Sequence, residues 1–278
     1  MTTLSFNIRS PFTEAFEAET KMLVLECNLH SCTVLLWNKE RKEPEAVEVF
    51  TDILDWEKDW DSLVRQSSIL AYRHLQTIVF YGFHRFLPVP ASLFSPATAN
   101  LQLKAIAGEA QGWHYGADVL VDQSMVMYWE APMALNKIFS SYFKQWQANS
   151  LATLLLTLRL YLSQTATVSK ATGLFLISGK EIWIALWKND TLLIIQRFKG
   201  NEPATISYQM LNACHQWGLL PEQISWYGYG MMDTAAPLWL SVDNFFGSVE
   251  PANAGIPFGK GTPPHYFAHL IQYLALLK

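Results

Sequence analysis

MLVLEC (Met22 to Cys27), a short polar turn and CTVLLW (Cys32 to Trp37) return later in the chain as TGLFLIS (Thr172 to Ser178), a second short turn and IWIALW (Ile182 to Trp187). Both copies close on an apolar pair before tryptophan, Leu35-Leu36-Trp37 and Ala185-Leu186-Trp187, 150 positions apart (187 minus 37). A third strand-like run follows each hairpin, EAVEVF (Glu45 to Phe50) and TLLIIQRF (Thr191 to Phe198). A helix-like segment and a further strand come next, TIVFYGF (Thr77 to Phe83) and ISWYGYG (Ile224 to Gly230). A repeat on this scale predicts two similar α/β subdomains facing each other across a cleft, not a short-period solenoid.

Composition sets the bounds around that reading. The 278 residues suffice for one large or two medium domains with a substantial core. Half are hydrophobic, 14% are aromatic, eleven are tryptophan and only 16% are charged, against roughly 25% charged in an average soluble domain. Filling two cores accounts for much of this aromatic content. The surplus predicts an apolar, aromatic surface kept for a protein partner or a second copy. Net charge is -4 and the basic residues are scattered, so no stripe tracks a phosphate backbone and nucleic acid is not expected as a partner. The charged run Lys39-Glu40-Arg41-Lys42-Glu43 mixes signs and reads as a solvated hairpin loop. MTTLSFNIRSP lacks the pattern of a secretory signal. The most apolar window, residues 151–162, is cut by Thr157 and Arg159 and falls short of the ~20 residues that span a bilayer. Three cysteines, Cys27, Cys32 and Cys214, cannot all pair, which fits a reducing cytosol. The expected location is cytoplasmic.

Element by element, residues 1–20 read as a loosely anchored lead-in. Asp55 caps a helix expected to run to Tyr72. Leu87-Pro88-Val89-Pro90 reads as a turn, and 91–107 as a helix. Residues 117–131 alternate like a hairpin tipped by Gln123-Ser124. Helices are expected over 133–143 and 150–163, and the small polar stretch 165–171 is the best boundary, dividing the chain into 1–168 and 169–278. In the second half, Pro203 opens a helix that Gly218 closes. A helix near 235–240, a strand near 245–249 and a terminal helix over 265–277 complete the pattern.

This order of strand-strand-strand-helix-strand-helix, given twice, resembles the actin-like ATPase (ribonuclease H-like) fold of actin, Hsp70-type chaperones and sugar kinases. More narrowly, the chain resembles an uncharacterised bacterial family that carries a duplicated, reduced version of that fold. The residues that carry the likeness are the hairpins ending in Leu36-Trp37 and Leu186-Trp187, the Val89-Pro90-x-x-Leu93-Phe94 segment, and the strand ending in Gln196-Arg197-Phe198. Pilus-assembly proteins of the inner-membrane platform share the fold and offer a non-enzymatic analogy, though fold alone assigns no function.

The resemblance implies where a nucleotide would bind, and the residues there can be weighed directly. In the superfold, ATP phosphates meet the two hairpin turns, each needing an Asp to orient the Mg²⁺ shell and small residues for close backbone approach. The first turn is Asn28-Leu29-His30-Ser31, without a carboxylate. The second is Ser178-Gly179-Lys180-Glu181, where Lys180 could meet a phosphate but Glu181 stands at the strand entrance. The adenosine side implies a glycine pair after the fourth strand of the second half, and Gly228-Tyr229-Gly230 stands there. The candidate residues are therefore Asn28, Ser31, Ser178, Lys180, Gly228 and Gly230, and the expectation is a non-catalytic binding or scaffold module with a degenerate nucleotide site and no cofactor. The alternative is a divergent ATP-binding protein, or a small-molecule kinase, that uses Lys180 with an acid such as Asp233.

Other motifs carry less. Gly255-x-x-x-Gly259-Lys260-Gly261-Thr262 is one residue short of a phosphate loop and has no preceding strand. Cys27-x-x-His30-x-Cys32 has metal-like spacing, but both cysteines fall in apolar strands, as ordinary core residues do. His265 and His269 share a helix face, read as solvated. Cys214 and His215 are adjacent on a helix and point apart. The pairs Asp52/Asp55 and Asp59/Asp61 belong to a helix start, where capping explains them.

Overall fold

The computed structural model describes residues 2–9, 18–120, 124–165, 171–200, 202–246, 249–256 and 262–277. Gln123 of the expected hairpin tip, most of the 165–171 stretch and the Gly259-Lys260-Gly261 motif lie outside them. The chain divides into two compact units, Met1–Leu154 and Leu155–Lys278.

The first unit begins with β1 (Thr3–Arg9), β2 (Lys21–Cys27), β3 (Cys32–Asn38), β4 (Glu43–Thr51), α1 (Trp56–Gln66) and β5 (Gln76–Tyr81). An insertion follows: β6 (Phe86–Pro90), α2 (Pro96–Ala107), β7 (Trp113–Leu120), β8 (Met125–Pro132) and α3 (Met133–Tyr142). β9 (Gln145–Ser150) then leads into α4 (Leu151–Thr165), which carries the division between the units. The main sheet has the order β1-β4-β3-β2-β5-β9, with β5 parallel to both β2 and β9. The second unit contains β10 (Ala171–Ser178), β11 (Glu181–Lys188), β12 (Thr191–Lys199), α5 (Pro203–Gln216), β13 (Ile224–Gly230), α6 (Pro237–Asp243), β14 (Val249–Pro251) and α7 (Ala268–Leu276). Its sheet runs β12-β11-β10-β13-β14, the order of the first sheet without β1.

The repeat holds to the level of register. Met22 lies opposite Trp37 and Cys27 opposite Cys32, while Thr172 lies opposite Trp187 and Ile177 opposite Ile182. Both third strands bulge at the tryptophan. Leu36 faces Ala46 and Trp37 faces Pro44, leaving Glu45 unopposed; Leu186 faces Ile194 and Trp187 faces Leu192, leaving Leu193 unopposed. An extra residue at the same place in both copies bends each sheet alike.

The bulged residues differ in chemistry. Glu45 forms an ion pair with the buried Lys21 and accepts from Asn38 Nδ2 at 2.8 Å and from Arg41 at 2.5 Å. Leu193 instead packs against the core that Phe175, Ile184, Leu186, Trp226 and Trp239 build with α5 and α6.

Several expected elements shift for identifiable reasons. The lead-in is a strand over 3–9, since β1 pairs along the outer edge of β4. β6 holds two prolines and stands at the edge of the three-stranded sheet β6-β8-β7, where no outer ladder bond is lost. α1 starts at the Asp55 cap as expected but stops at Gln66. There the Ser67 hydroxyl accepts the N–H groups of Ile69 and Leu70 while donating to the fully buried Glu48. The insertion is tied down by Arg85. Its guanidinium pairs with Glu130 at 2.6 Å and donates to Ala107 O and Gly108 O, the last carbonyls of α2.

Two outcomes follow. Leu155 in α4 is 1% exposed, so Leu155→Ala should cost about 2–5 kcal/mol in a denaturant titration through lost burial and a cavity. At Glu45, burial opposes ionisation, yet the hydrogen bonds from Lys21, Asn38 and Arg41 outweigh it and hold the carboxyl below its ordinary range. Its contribution is therefore present above the unfolded carboxyl value near ~4.3 and lost as pH falls through the lower folded value. Glu45→Gln should flatten the acid limb of a stability-against-pH curve.

Candidate functional site

Parallel pairing decides which residues gather at the carboxyl ends of the strands, where ligands of open α/β sheets bind. In the first unit Cys27 pairs with Tyr81 and Tyr81 with Ser150, so the Asn28–Ser31 turn, Gly82 and the start of α4 converge. In the second unit Ile177 pairs with Gly230, which brings the Ser178–Glu181 turn beside the end of β13. The structure thus collects Asn28 and Ser31 at one sheet end, and Ser178, Lys180, Gly228 and Gly230 at the other.

The first turn is closed by Asn28 N–H donating to Ser31 O at 2.9 Å. Asn28 and Ser31 are both buried. Asn28 Nδ2 donates to Glu26 at 3.0 Å, and its side-chain oxygen lies over Gly82, where an added Cβ would stand 1.8 Å away. Gly82 is glycine because Asn28 occupies that space. His30 is exposed, and the turn is anchored through it. Its Nδ1 lies 2.9 Å from Ile53 O, and its own carbonyl accepts Ile53 N–H at 3.1 Å. Behind the turn, Cys27 and Cys32 are free thiols 4.0 Å apart with no exposure. Burial, with Cys32 beside it, pushes the Cys27 thiol well up, which is inert core chemistry and not that of a ligand. Among the described residues no three His, Cys, Asp or Glu side chains gather to hold a metal ion.

At the second turn, Gly179 takes φ 59° and Lys180 is exposed. Glu181 is buried and pairs with the Arg197 guanidinium at 2.5 Å. Desolvation lowers the Arg197 pKa, with Glu181 working against that fall. The glycines of β13 have packing roles. A Cβ on Gly228 would lie 2.4 Å from both the Phe175 and Trp239 rings, and one on Gly230 would lie 2.0 Å from Ile177 O. Gly230 also holds φ 111°, in the range that favours glycine. Tyr229 is fully buried, and its hydroxyl donates to Gln272 Oε1 at 2.9 Å while Gln272 Nε2 donates to Asn253 O. Asp233 is exposed and accepts Ala235 N–H at 2.8 Å, a local turn bond.

Two residues escaped the sequence reading. His265, expected on a solvated helix face with His269, is 3% exposed, as is His269. Its Nε2 lies 2.5 Å from Met232 O, its ring packs on Trp239, and its carbonyl receives Gly230 N–H. The helix begins only at Ala268 because Phe267 takes φ 56°, so His265 closes the end of β13 instead. Asp118 had no expected role. One oxygen accepts Ser150 N–H at 2.7 Å and the Thr153 hydroxyl, tying down the start of α4, which the Ser150 hydroxyl caps by accepting Ala152 N–H, while the other accepts Trp129 Nε1 at 2.9 Å. Burial raises its pKa, against the pull of those donors. Only its place among buried alternate positions of β7 could have singled it out.

Set against known proteins, the sequence matches the family described as "Protein of unknown function (DUF3822)" over residues 11–249, and the chain belongs to that family. No curated protein matches it. Among solved structures it is similar to a Bacteroides thetaiotaomicron protein of actin-like ATPase fold and unknown function, with 13% identity, TM-score 0.76 and coverage of 93% of this chain and 96% of that one. It is also similar to a chain of the PilM–PilN type IV pilus biogenesis complex, with 11% identity, TM-score 0.61 and coverage of 92% and 98%. The cytoplasmic domain of EpsL, an inner-membrane component of the Vibrio cholerae type II secretion system, matches at 10% identity and TM-score 0.50 over 92% of this chain and 94% of that one. The fold is that of the actin-like ATPases. Among the described residues no helix is long and apolar enough to cross a membrane.

The packing account of Gly228 is directly checkable. Gly228→Ala should force two buried rings apart and cost roughly 1–3 kcal/mol by overpacking, read as a lowered midpoint of thermal or denaturant unfolding.

Proposed function

We propose that this protein is a non-catalytic binding or scaffold module whose nucleotide site has degenerated. The observation that carries the reading is the use of the nucleotide-site positions for internal packing. Asn28 lies over Gly82, and the Phe175 and Trp239 rings lie over Gly228. Gly230 abuts Ile177 O, and the carboxylate nearest the second turn, Glu181, is buried on Arg197.

These residues do not fit Mg²⁺–ATP. Phosphoryl transfer needs preorganised charge on the transferred group, which the superfold supplies through a metal oriented by acids on both turns. Here the first turn offers Asn28 and Ser31, and the second Ser178 and an exposed Lys180. A lysine attracts phosphate but orients no metal. The similar chains come from the PilM–PilN pilus biogenesis complex and from EpsL, an inner-membrane component of a secretion system, which supports a partner-holding reading of this architecture. That likeness is an analogy of fold. The sparse charge and the exposed Tyr115, Val119, Tyr208 and Phe245 supply apolar surface for a protein partner.

Purified protein incubated with Mg²⁺–ATP should release no phosphate above a buffer control. A thermal-shift screen should show little effect from nucleotides, whereas a ligand at 100 times its Kd would add about 2.7 kcal/mol of stability. Turnover that vanishes in Lys180→Ala or Asp233→Ala would instead establish an enzyme.

A further inference from the structure

The duplication supplies its own reference for one pair of side chains. By register, Cys27 opposite Cys32 in the first hairpin matches Ile177 opposite Ile182 in the second. The second copy fills this place with aliphatic side chains that pack on its core, so the place itself does not call for sulfur. In the first copy both members of the pair are thiols.

Backbone bonds fix the kind of pair they make. Asn28 N–H donates to Ser31 O across the turn, while Cys27 O points away from β3 and accepts Gly82 N–H at 2.9 Å. Cys27 and Cys32 are therefore a non-hydrogen-bonded pair, the type in which Cα atoms approach to about 4.5 Å and side chains come closest. That separation falls within the range of roughly 4.4–6.8 Å that a disulfide spans. The two Sγ atoms lie 4.0 Å apart, and both belong to free thiols. Rotation about the Cα–Cβ bonds brings them together with the strands in place. Cys214 packs in the core of the second unit and takes no part.

We infer that the first hairpin carries a redox-sensitive lock, a Cys27–Cys32 disulfide that hydrogen peroxide closes and small thiols reopen. One cysteine, as thiolate, attacks a peroxide oxygen, the O–O bond breaks, and the released hydroxide takes up the thiol proton as water. The other sulfur attacks the resulting sulfenic acid, the S–O bond breaks, and a second water leaves. Two thiols lose two electrons and two protons, and one peroxide becomes two waters. Full burial makes both sulfurs slow toward reagents in solution. The lock therefore answers sustained oxidant, admitted by openings of the hairpin end beside the exposed His30. Transient, sensing disulfides are the kind that reducing compartments use. Once closed, the bond ties β2 to β3 directly beneath the Asn28–Ser31 turn and holds Asn28 over Gly82. The inference is independent of whether a nucleotide binds.

The folded full chain should be treated with millimolar hydrogen peroxide, quenched, and alkylated in denaturant. It should then take up one alkyl group where the untreated chain, with its three free cysteines, takes up three. The tryptic peptide 22–39, which holds both cysteines, should be lighter by two hydrogens, and a thiol reductant should restore it. Cys27→Ala should abolish that reversible loss. Hydrogen exchange reads the lock itself. The Asn28 amide should exchange at least about tenfold more slowly in the oxidised chain, while amides of the second hairpin stay constant. Three alkylated cysteines after peroxide, sulfinic or sulfonic acids in place of the lighter peptide, or an Asn28 amide no slower on oxidation would each overturn the inference.

Discussion

Strands buried on both faces fix this architecture. Every residue of β2 and β3 is buried, as are Glu181 through Trp187 of β11. A one-residue slip would exchange the two faces of a strand. Here both faces are apolar and differently shaped, so a slip would place tryptophan where leucine or alanine fits. The bulge beside Trp37 and Trp187 locks the choice, because only one register puts an unopposed residue next to a buried indole. From that register follow the parallel partners β5 and β13, and with them the residues that meet at each sheet end.

Low charge content works with this constraint, because the charges that are buried are matched locally. Lys21 meets Glu45, Arg85 meets Glu130 and two helix-end carbonyls, Arg197 meets Glu181, and Glu48 accepts from two serines. Removing one partner of such a set leaves an uncompensated charge, which costs more than the intact pair contributes. These sets pin the third strand, the insertion and the second hairpin to their neighbours. At the second hairpin turn, Glu181 is already committed to the Arg197 guanidinium.

The repeat was legible because hairpins buried on both faces write long apolar runs with matching ends. The start of α1 was legible from its Asp55 cap, the start of α5 from Pro203 in its first turn, and the end of α5 from Gly218, which takes φ 61°. What stayed hidden depends on distant partners. β9 is QWQANS, too polar to announce a strand, and exists through parallel pairing with β5. β6 holds prolines that only an edge tolerates. The candidate residues could be named from their turns, but Gly228 and Gly230 have glycine's two meanings, ligand approach and tight packing. Only the positions of Phe175, Trp239 and Ile177 tell them apart.

The pairing of each first strand has a consequence for how the chain acquires this structure. β2 meets β3 across a turn, with Cys27 and Cys32 five residues apart, whereas Met22 meets Gln76 across 54 positions (76 minus 22). Short hairpins close in ~1–10 μs, and non-local parallel pairing comes later because loop closure must precede its reward. Each hairpin therefore forms with the inner edge of its first strand open, and that edge, MLVLEC or TGLFLI, is among the most apolar of the chain. Until β5 or β13 arrives, a hairpin of one copy finds in the other a near replica of its own partner. Keeping the two copies dissimilar in sequence, as Glu45 against Leu193 and Cys27 against Ile177 illustrate, works against the wrong strand being taken in.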